Sequence, residues 1–178
     1  MKQKNRFRQL IICCAFLLLS TLSFAQIPPQ SNNPKALKKY NEAILALEDN
    51  RSADGIALLA NVLQIDSNFI DAYLSLAGAY GNTKQYKKAV IVYERARLKD
   101  SIYFTPYLLP YSINLAGLGQ FDKALDAINN FLTLSDLSGR SLKAAQYRKK
   151  TYEFALSAVQ KNKNAAYVFA PKNLGDSV

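Results

Sequence analysis

Cys13 and Cys14 are the only thiols among 178 residues, and the chain has no histidine. A Cys–His nucleophile and a Cys/His zinc site therefore depend on partners the sequence does not supply. Carboxylates remain: two of them flanking a sugar bond could act as acid and as base or nucleophile. Of the 13 acidic residues, 12 precede Asp176. Most of them fall at turns or on outward helix positions, and no pair sits in the apolar setting that would raise a pKa. The sequence thus predicts no catalytic centre, no metal site and no cofactor. The chemistry left to it is binding, and the residues to be explained are small and aromatic.

Both cysteines belong to a segment that stands apart from the rest. Lys2, Lys4, Arg6 and Arg8 form a basic leader, Leu10 to Leu22 an apolar run of 13 residues, and Ser23-Phe24-Ala25 a small-x-small cleavage site. This is the pattern of a secretory signal covering 1–25, with cleavage after Ala25. An uncleaved anchor would want roughly 20 apolar residues. A lipid-modified cysteine would want small residues where Ile11-Ile12 stands. The mature chain is then expected without thiols. Four of the 23 basic residues leave with the leader, so 19 face 13 acidic ones, a balance of +6. Lys84, Lys87, Lys88, Arg148, Lys149, Lys150, Lys161 and Lys163 are spread over several segments. A nucleic-acid footprint would gather them on one face. The sequence predicts no nucleic-acid partner and no transmembrane segment in the mature chain.

The clearest internal pattern runs from Tyr73 to Ala96, "YLSLAGAYGNTKQYKKAVIVYERA". Tyr73, Leu76, Ala77 and Tyr80 share one helical face. The polar break Gly81 to Gln85 ends that helix, and Ala89, Tyr93 and Ala96 mark the inner face of a second. The tetratricopeptide (TPR) signature reads W-x2-L-G-x2-Y, then A-x3-F, then P. This segment resembles it, with Ser101 where Pro is usual. Small Ala77 and Ala89 would let the helices approach, and the tyrosines would fill the space beside them. One period earlier, Tyr40, Ala43, Leu47, Leu59, Val62 and Ile65 form a weaker copy behind the helix start Asn33-Pro34, with Gly55 where Ala is usual. One period later, "GQFDKALDAINNFL" repeats the second helix, but Pro110 falls inside the preceding one. Either that helix begins late, near Tyr111, or its first turn is distorted.

The resemblance implies an all-α fold, a right-handed superhelix of TPR hairpins. Its expected divisions are a linker at 26–34, three repeats over 36–69, 70–103 and 105–138, and a capping helix at 139–163. Leu142, Ala145, Tyr152, Ala155 and Val159 would form the cap's apolar side, and its basic residues a solubilising side. Residues 164–178 read as a short extended tail. There Phe169, Pro171 and Asn173-Leu174-Gly175-Asp176, with the earlier Tyr152-Glu153-Phe154-Ala155, carry a second resemblance. The chain is similar to the N-terminal region of bacterial envelope proteins that join TPR repeats to a WD-like β-propeller and an outer-membrane protein A-type peptidoglycan-binding domain. That likeness implies a tail opening a propeller, an exported protein of the periplasm associated with the outer membrane, and peptidoglycan contact only through a domain not present here.

Stacked hairpins offer a concave face lined by first helices. The TPR resemblance places Tyr40, Ile44 and Leu47, then Asp71, Leu74, Gly78 and Asn82, then Leu109, Ile113 and Ala116 on that face. Any of these could instead be covered by a neighbouring repeat. A clamp for a peptide carboxylate would use Lys, Arg and Asn there, and only Asn82 qualifies. The expected function is a non-catalytic scaffold or adaptor of the cell envelope, in an assembly such as a secretion or gliding apparatus, whose partner is a protein or peptide. The alternative is a free-standing periplasmic peptide-binding or chaperone-like protein.

Overall fold

The computed structural model describes residues 31–162. The leader (1–25) and the extended tail (164–178) lie outside the described residues. Among those described there are seven α-helices, one 3-10 turn and no strand. The helices are α1 (Pro34–Glu48), α2 (Ser52–Ile65), α3 (Ile70–Asn82), α4 (Tyr86–Lys99), α5 (Leu108–Gly117), α6 (Phe121–Leu132) and α7 (Gly139–Asn162). The pairs α1/α2, α3/α4 and α5/α6 are hairpins; α2 stacks on α3, α4 on α5, and α7 on α6.

Local chemistry sets the period. Asn33 caps α1, its side chain accepting from the amides of Lys35 at 3.0 Å and Ala36 at 3.2 Å, with Pro34 in the first turn. Each hairpin turn then repeats one backbone device. Asn50, Lys84 and Gly119 have φ of 60°, 58° and 73°. The amide after each reaches back to Ala46 O at 2.8 Å, Tyr80 O at 2.8 Å and Leu115 O at 3.0 Å. These are Schellman closures, which satisfy carbonyls orphaned at a helix end. Gly119 adopts the left-handed conformation without strain, Asn50 is of a type that tolerates it, and Lys84 does so at a cost of about 1–2 kcal/mol.

The turns between hairpins are equally periodic. Asp66 and Asp100 end α2 and α4 in extended conformation. The Asp66 carboxylate accepts from the Asn68 amide at 2.9 Å, and that of Asp100 from Ile102 at 3.0 Å and Tyr103 at 2.9 Å. Each turn drives one phenylalanine inward, and Phe69 and Phe104 are both buried. Ser101 is exposed in a turn organised by Asp100, so a proline there is dispensable.

Small buried residues recur at matching places in the two helices of each hairpin, where close crossing needs them: Ala43 and Gly55, Ala77 and Ala89, Ser112 and Ala124. At Gly55 a Cβ would stand 2.4 Å from Leu47 Cδ2, so glycine replaces the usual alanine where α1 comes closest. Beside these crossings the aromatics pack tilted or edge-on, as ring quadrupoles favour. Tyr40 meets Phe69 at 4.8 Å between centroids, and Tyr93, Phe104 and Tyr111 form a triangle with sides of 6.0, 5.6 and 6.0 Å.

Around Pro110 the chain takes a course between the two expected ones. A 3-10 turn, Thr105–Tyr107, leads into α5, which starts at Leu108 rather than near Tyr111. Pro110 is the third residue of α5, where its missing N–H belongs to an amide that has no intrahelical partner in any case. The cap helix also differs from expectation. Ala145 and Tyr152 are buried, yet Leu142 and Val159 are 37% and 49% exposed, and Tyr147 and Phe154 project outward. At 24 residues α7 is twice as long as the 12-residue α6 beneath it, so among the described residues its ends are not covered.

Candidate functional site

First helices supply the concave face, and they are not equally open. On α1, Tyr40 and Ile44 are half-buried, and Leu47 is turned into the α1–α2 crossing against Gly55. On α3, Leu74 is buried, Gly78 half-buried and Asn82 exposed. On α5, Leu109, Ile113 and Ala116 are all half-buried. The face is therefore least accessible on α3, which is packed between α2 and α4. None of the residues placed on it is a lysine or arginine.

Asp71 is the one acid of the set and is buried. The Tyr103 hydroxyl donates to its Oδ1 at 2.7 Å, and the hydroxyls of Tyr40 and Ser75 lie 2.9 Å apart beside it. Burial raises the pKa of Tyr103 and Tyr107, and the Asp71 carboxylate adds to both shifts. Tyr40 is raised by burial too, against a smaller opposing effect of its bond to Ser75. Three phenols are thus kept protonated near one carboxylate, and Tyr103 donates to it.

The second feature is a pocket of about 140 Å³ between α3 and α5. Gly78 and Gly81 form one wall, Pro110, Ile113 and Asn114 the other, and Tyr93 lies between them. Asn82 and Tyr86 complete its lining. A Cβ at Gly81 would stand 2.8 Å from Asn114 Oδ1, so only glycine lets this side chain lie against α3. Asn114 is 4% exposed; its Nδ2 donates to Pro110 O at 2.8 Å, and its Oδ1 has no hydrogen-bond partner among the described residues. Burial pushes the Tyr93 phenol up to about 12. Of this group the sequence pattern points to Gly78, Asn82 and Ile113. It misses Asn114, Tyr93 as a pocket wall, and the phenols Tyr103 and Tyr107. One signal existed: Asn114 is a polar residue between Ile113 and Leu115 in an otherwise apolar helix.

Among the described residues no group of three or more Cys, Asp or Glu is placed to hold a metal ion. A larger hollow of about 470 Å³ lies over α1 and α2, but its Arg51 is already paired with Asp49 and Asp54 at 3.1 Å each. No helix among the described residues is long and apolar enough to cross a membrane.

No protein-family model matches the sequence, and no curated protein is recognisably similar to it. Solved structures are similar in fold. The TPR domain of Sgt2 from Aspergillus fumigatus superposes with a TM-score of 0.61 at 17% identity, over 82% of this chain and 94% of that one. The first TPR domain of Spaghetti (RPAP3), bound to the HSP90 peptide SRMEEVD, gives 0.62 at 16% identity, over 69% and 94%. The Yersinia enterocolitica type III secretion chaperone SycD, in complex with a peptide of the translocator YopD, gives 0.55 at 14% identity, over 74% and 96%. With its paired helices, small-residue crossings and repeated turns, the chain has the tetratricopeptide fold.

Proposed function

We propose that the protein is a non-catalytic interaction module that receives a segment of a partner polypeptide along its concave face. The observation that carries this reading is the composition of that face. Ile44, Leu109 and Ile113 remain partly accessible, glycine keeps Gly78 low, and no basic side chain is among the residues placed there. Two of the similar folds were solved with bound peptides, which supports the mode of binding. The RPAP3 peptide SRMEEVD is acidic, whereas a face without Lys or Arg suits an apolar, uncharged segment. The leader pattern supports export, with the mature chain beginning at Gln26, and the propeller-type resemblance supports a scaffold or adaptor role in a cell-envelope assembly of the secretion or gliding type. A chaperone-like reading also has a specific support, the fold shared with the secretion chaperone SycD.

A photo-crosslinking amino acid placed at Ile113 in living cells tests the face. Discrete adducts are expected there and not at Leu98, which is 83% exposed on α4. Equal labelling at Leu98, or none at Ile44, Leu109 and Ile113, overturns the reading. Intact-mass measurement of protein from the envelope fraction tests export, and retention of Met1 or acylation at Cys13 would end that part. Stable co-fractionation with the adduct partner favours the scaffold, and transient association with an unassembled client favours the chaperone.

A further inference from the structure

The pocket between α3 and α5 is not accounted for by packing. Gly81 is required by the closeness of Asn114, but Gly78 is not: a Cβ there would meet only the Tyr93 hydroxyl, at 3.9 Å, an ordinary contact. Glycine inside a helix costs stability relative to alanine, so its presence leaves room that an alanine would fill. The room ends at Asn114, whose orientation is determined. Nδ2 donates to Pro110 O at 2.8 Å, and exchanging the amide atoms would set two oxygens against each other. Oδ1 is therefore a genuine acceptor, buried and without a partner among the described residues. Buried acceptors are nearly always satisfied.

We propose that this pocket is a carboxamide subsite, which takes the side chain of one asparagine or glutamine from the segment bound on the concave face. The inference rests on the reading of that face given above. Asn114 Oδ1 lies against Gly81 and is closed to water as it stands; a small shift of that side chain toward the pocket lets a primary amide donate to it through N–H while accepting through its carbonyl from the Tyr93 hydroxyl, which burial keeps protonated. No charged side chain lines the pocket, so a bound ammonium or carboxylate would be desolvated without compensation. A volume of about 140 Å³ suits the end of one side chain and is too small for a nucleotide or ring-bearing cofactor.

The test uses the full chain and three small probes: the N-acetyl N-methylamide derivatives of glutamine, methionine and glutamate. Backbone amide signals of Gly78 and Gly81 and the side-chain amide of Asn114 are followed by NMR. Saturable shifts are expected with the glutamine derivative, and binding about tenfold or more weaker with the other two. Gly78→Ala, which the packing tolerates, should abolish the shifts while leaving the fold intact. Equal response to the methionine derivative, or no saturable response to any probe, which would mean an ordered water only, overturns the subsite. Its failure with crosslinking at Ile113 intact removes the subsite and leaves the face. Glutamine binding without any crosslink at Ile113 removes the face and leaves the pocket's chemistry.

Discussion

The middle and third hairpins follow one plan and execute it differently. In α3, eight of 13 residues are buried, from Ile70 to Ala79, because the helix has α2 and part of α1 on one side and α4 on the other. Its helix-crossing residue is Ala77. In α5 the equivalent position is Ser112, whose hydroxyl donates back to Leu109 O at 2.7 Å and lies 3.4 Å from Tyr152 Oη. Pro110 occupies the first turn, Asn114 replaces an apolar core residue, and the helix has 10 residues. The more deeply packed helix retains the repeat signature, since a buried polar atom there needs a partner, as Asp71 has in Tyr103. The helix nearer the end of the stack departs from it, and the pocket opens along that departure.

Alkali should break this comparison most severely, because it acts on several phenols at once along the seam between the two hairpins. Tyr93 is raised from 10.0 to about 12, and burial raises Tyr103, Tyr107 and Tyr111 as well, with the Glu94 acceptor adding to the shift of Tyr111. Between those values the unfolded chain has lost protons that the folded one keeps. The stabilisation is therefore complete below about pH 10 and lost as pH rises through about 12. Circular dichroism should follow phenolate absorbance over that window. Loss of helix well below pH 10 would show that something other than these phenols governs the seam.

Phe104→Ala should be next, removing the shared side of the aromatic triangle at a cost of roughly 3–5 kcal/mol in urea denaturation. A cost below about 1 kcal/mol would mean that the third hairpin does not depend on the middle one. Ala89→Leu overpacks the α3–α4 crossing and should cost about 1–3 kcal/mol. Asn114→Leu sharpens the contrast from the other side. It discards one hydrogen bond, worth about 0.5–1.5 kcal/mol, but also a buried unsatisfied acceptor costing about 1–3 kcal/mol, so stability should hold or rise slightly. A clear loss would make Asn114 part of the framework. Lys87→Ala, on the exposed side of α4, should stay within about 0.5 kcal/mol of neutral.

The helices were legible because their signals are local. Asn33-Pro34 announces α1, the polar stretch Gly81 to Gln85 announces the α3–α4 turn, and "GQFDKAL" announces α6. The tyrosines of the middle repeat read correctly as packing residues: Tyr73 and Tyr93 are buried, and Tyr80 is half-buried with the Lys88 ammonium 5.3 Å from its ring centre. The face of the cap helix was less legible, because Leu142 and Val159 keep helical spacing with Ala145 and Tyr152 but are not covered by any of the described residues. The candidate face was read by position within the repeat, which does not reveal that Leu47 turns toward Gly55 or that Leu74 is covered. The Asp71 cluster could not be read at all, since Tyr103 stands 32 residues from its partner.

The sequence by itself determined the hairpins, their period, the small residues at their crossings and the poverty of catalytic groups. Each of these follows from spacing along one helix or from composition. It also held one turn device as a repeated residue type, Asp66 and Asp100 after second helices, 34 positions apart, whereas Asn50, Lys84 and Gly119 share a backbone conformation and not a residue type. Only the tertiary structure decided which concave-face positions stay accessible and where a polar atom is stranded. Those outcomes depend on how far α5 stands from α3, and that distance is set jointly by Gly81, Asn114 and Pro110, by the aromatic triangle, and by the 3-10 turn that starts α5. Residues from different helices meet there in a geometry that no single periodicity encodes.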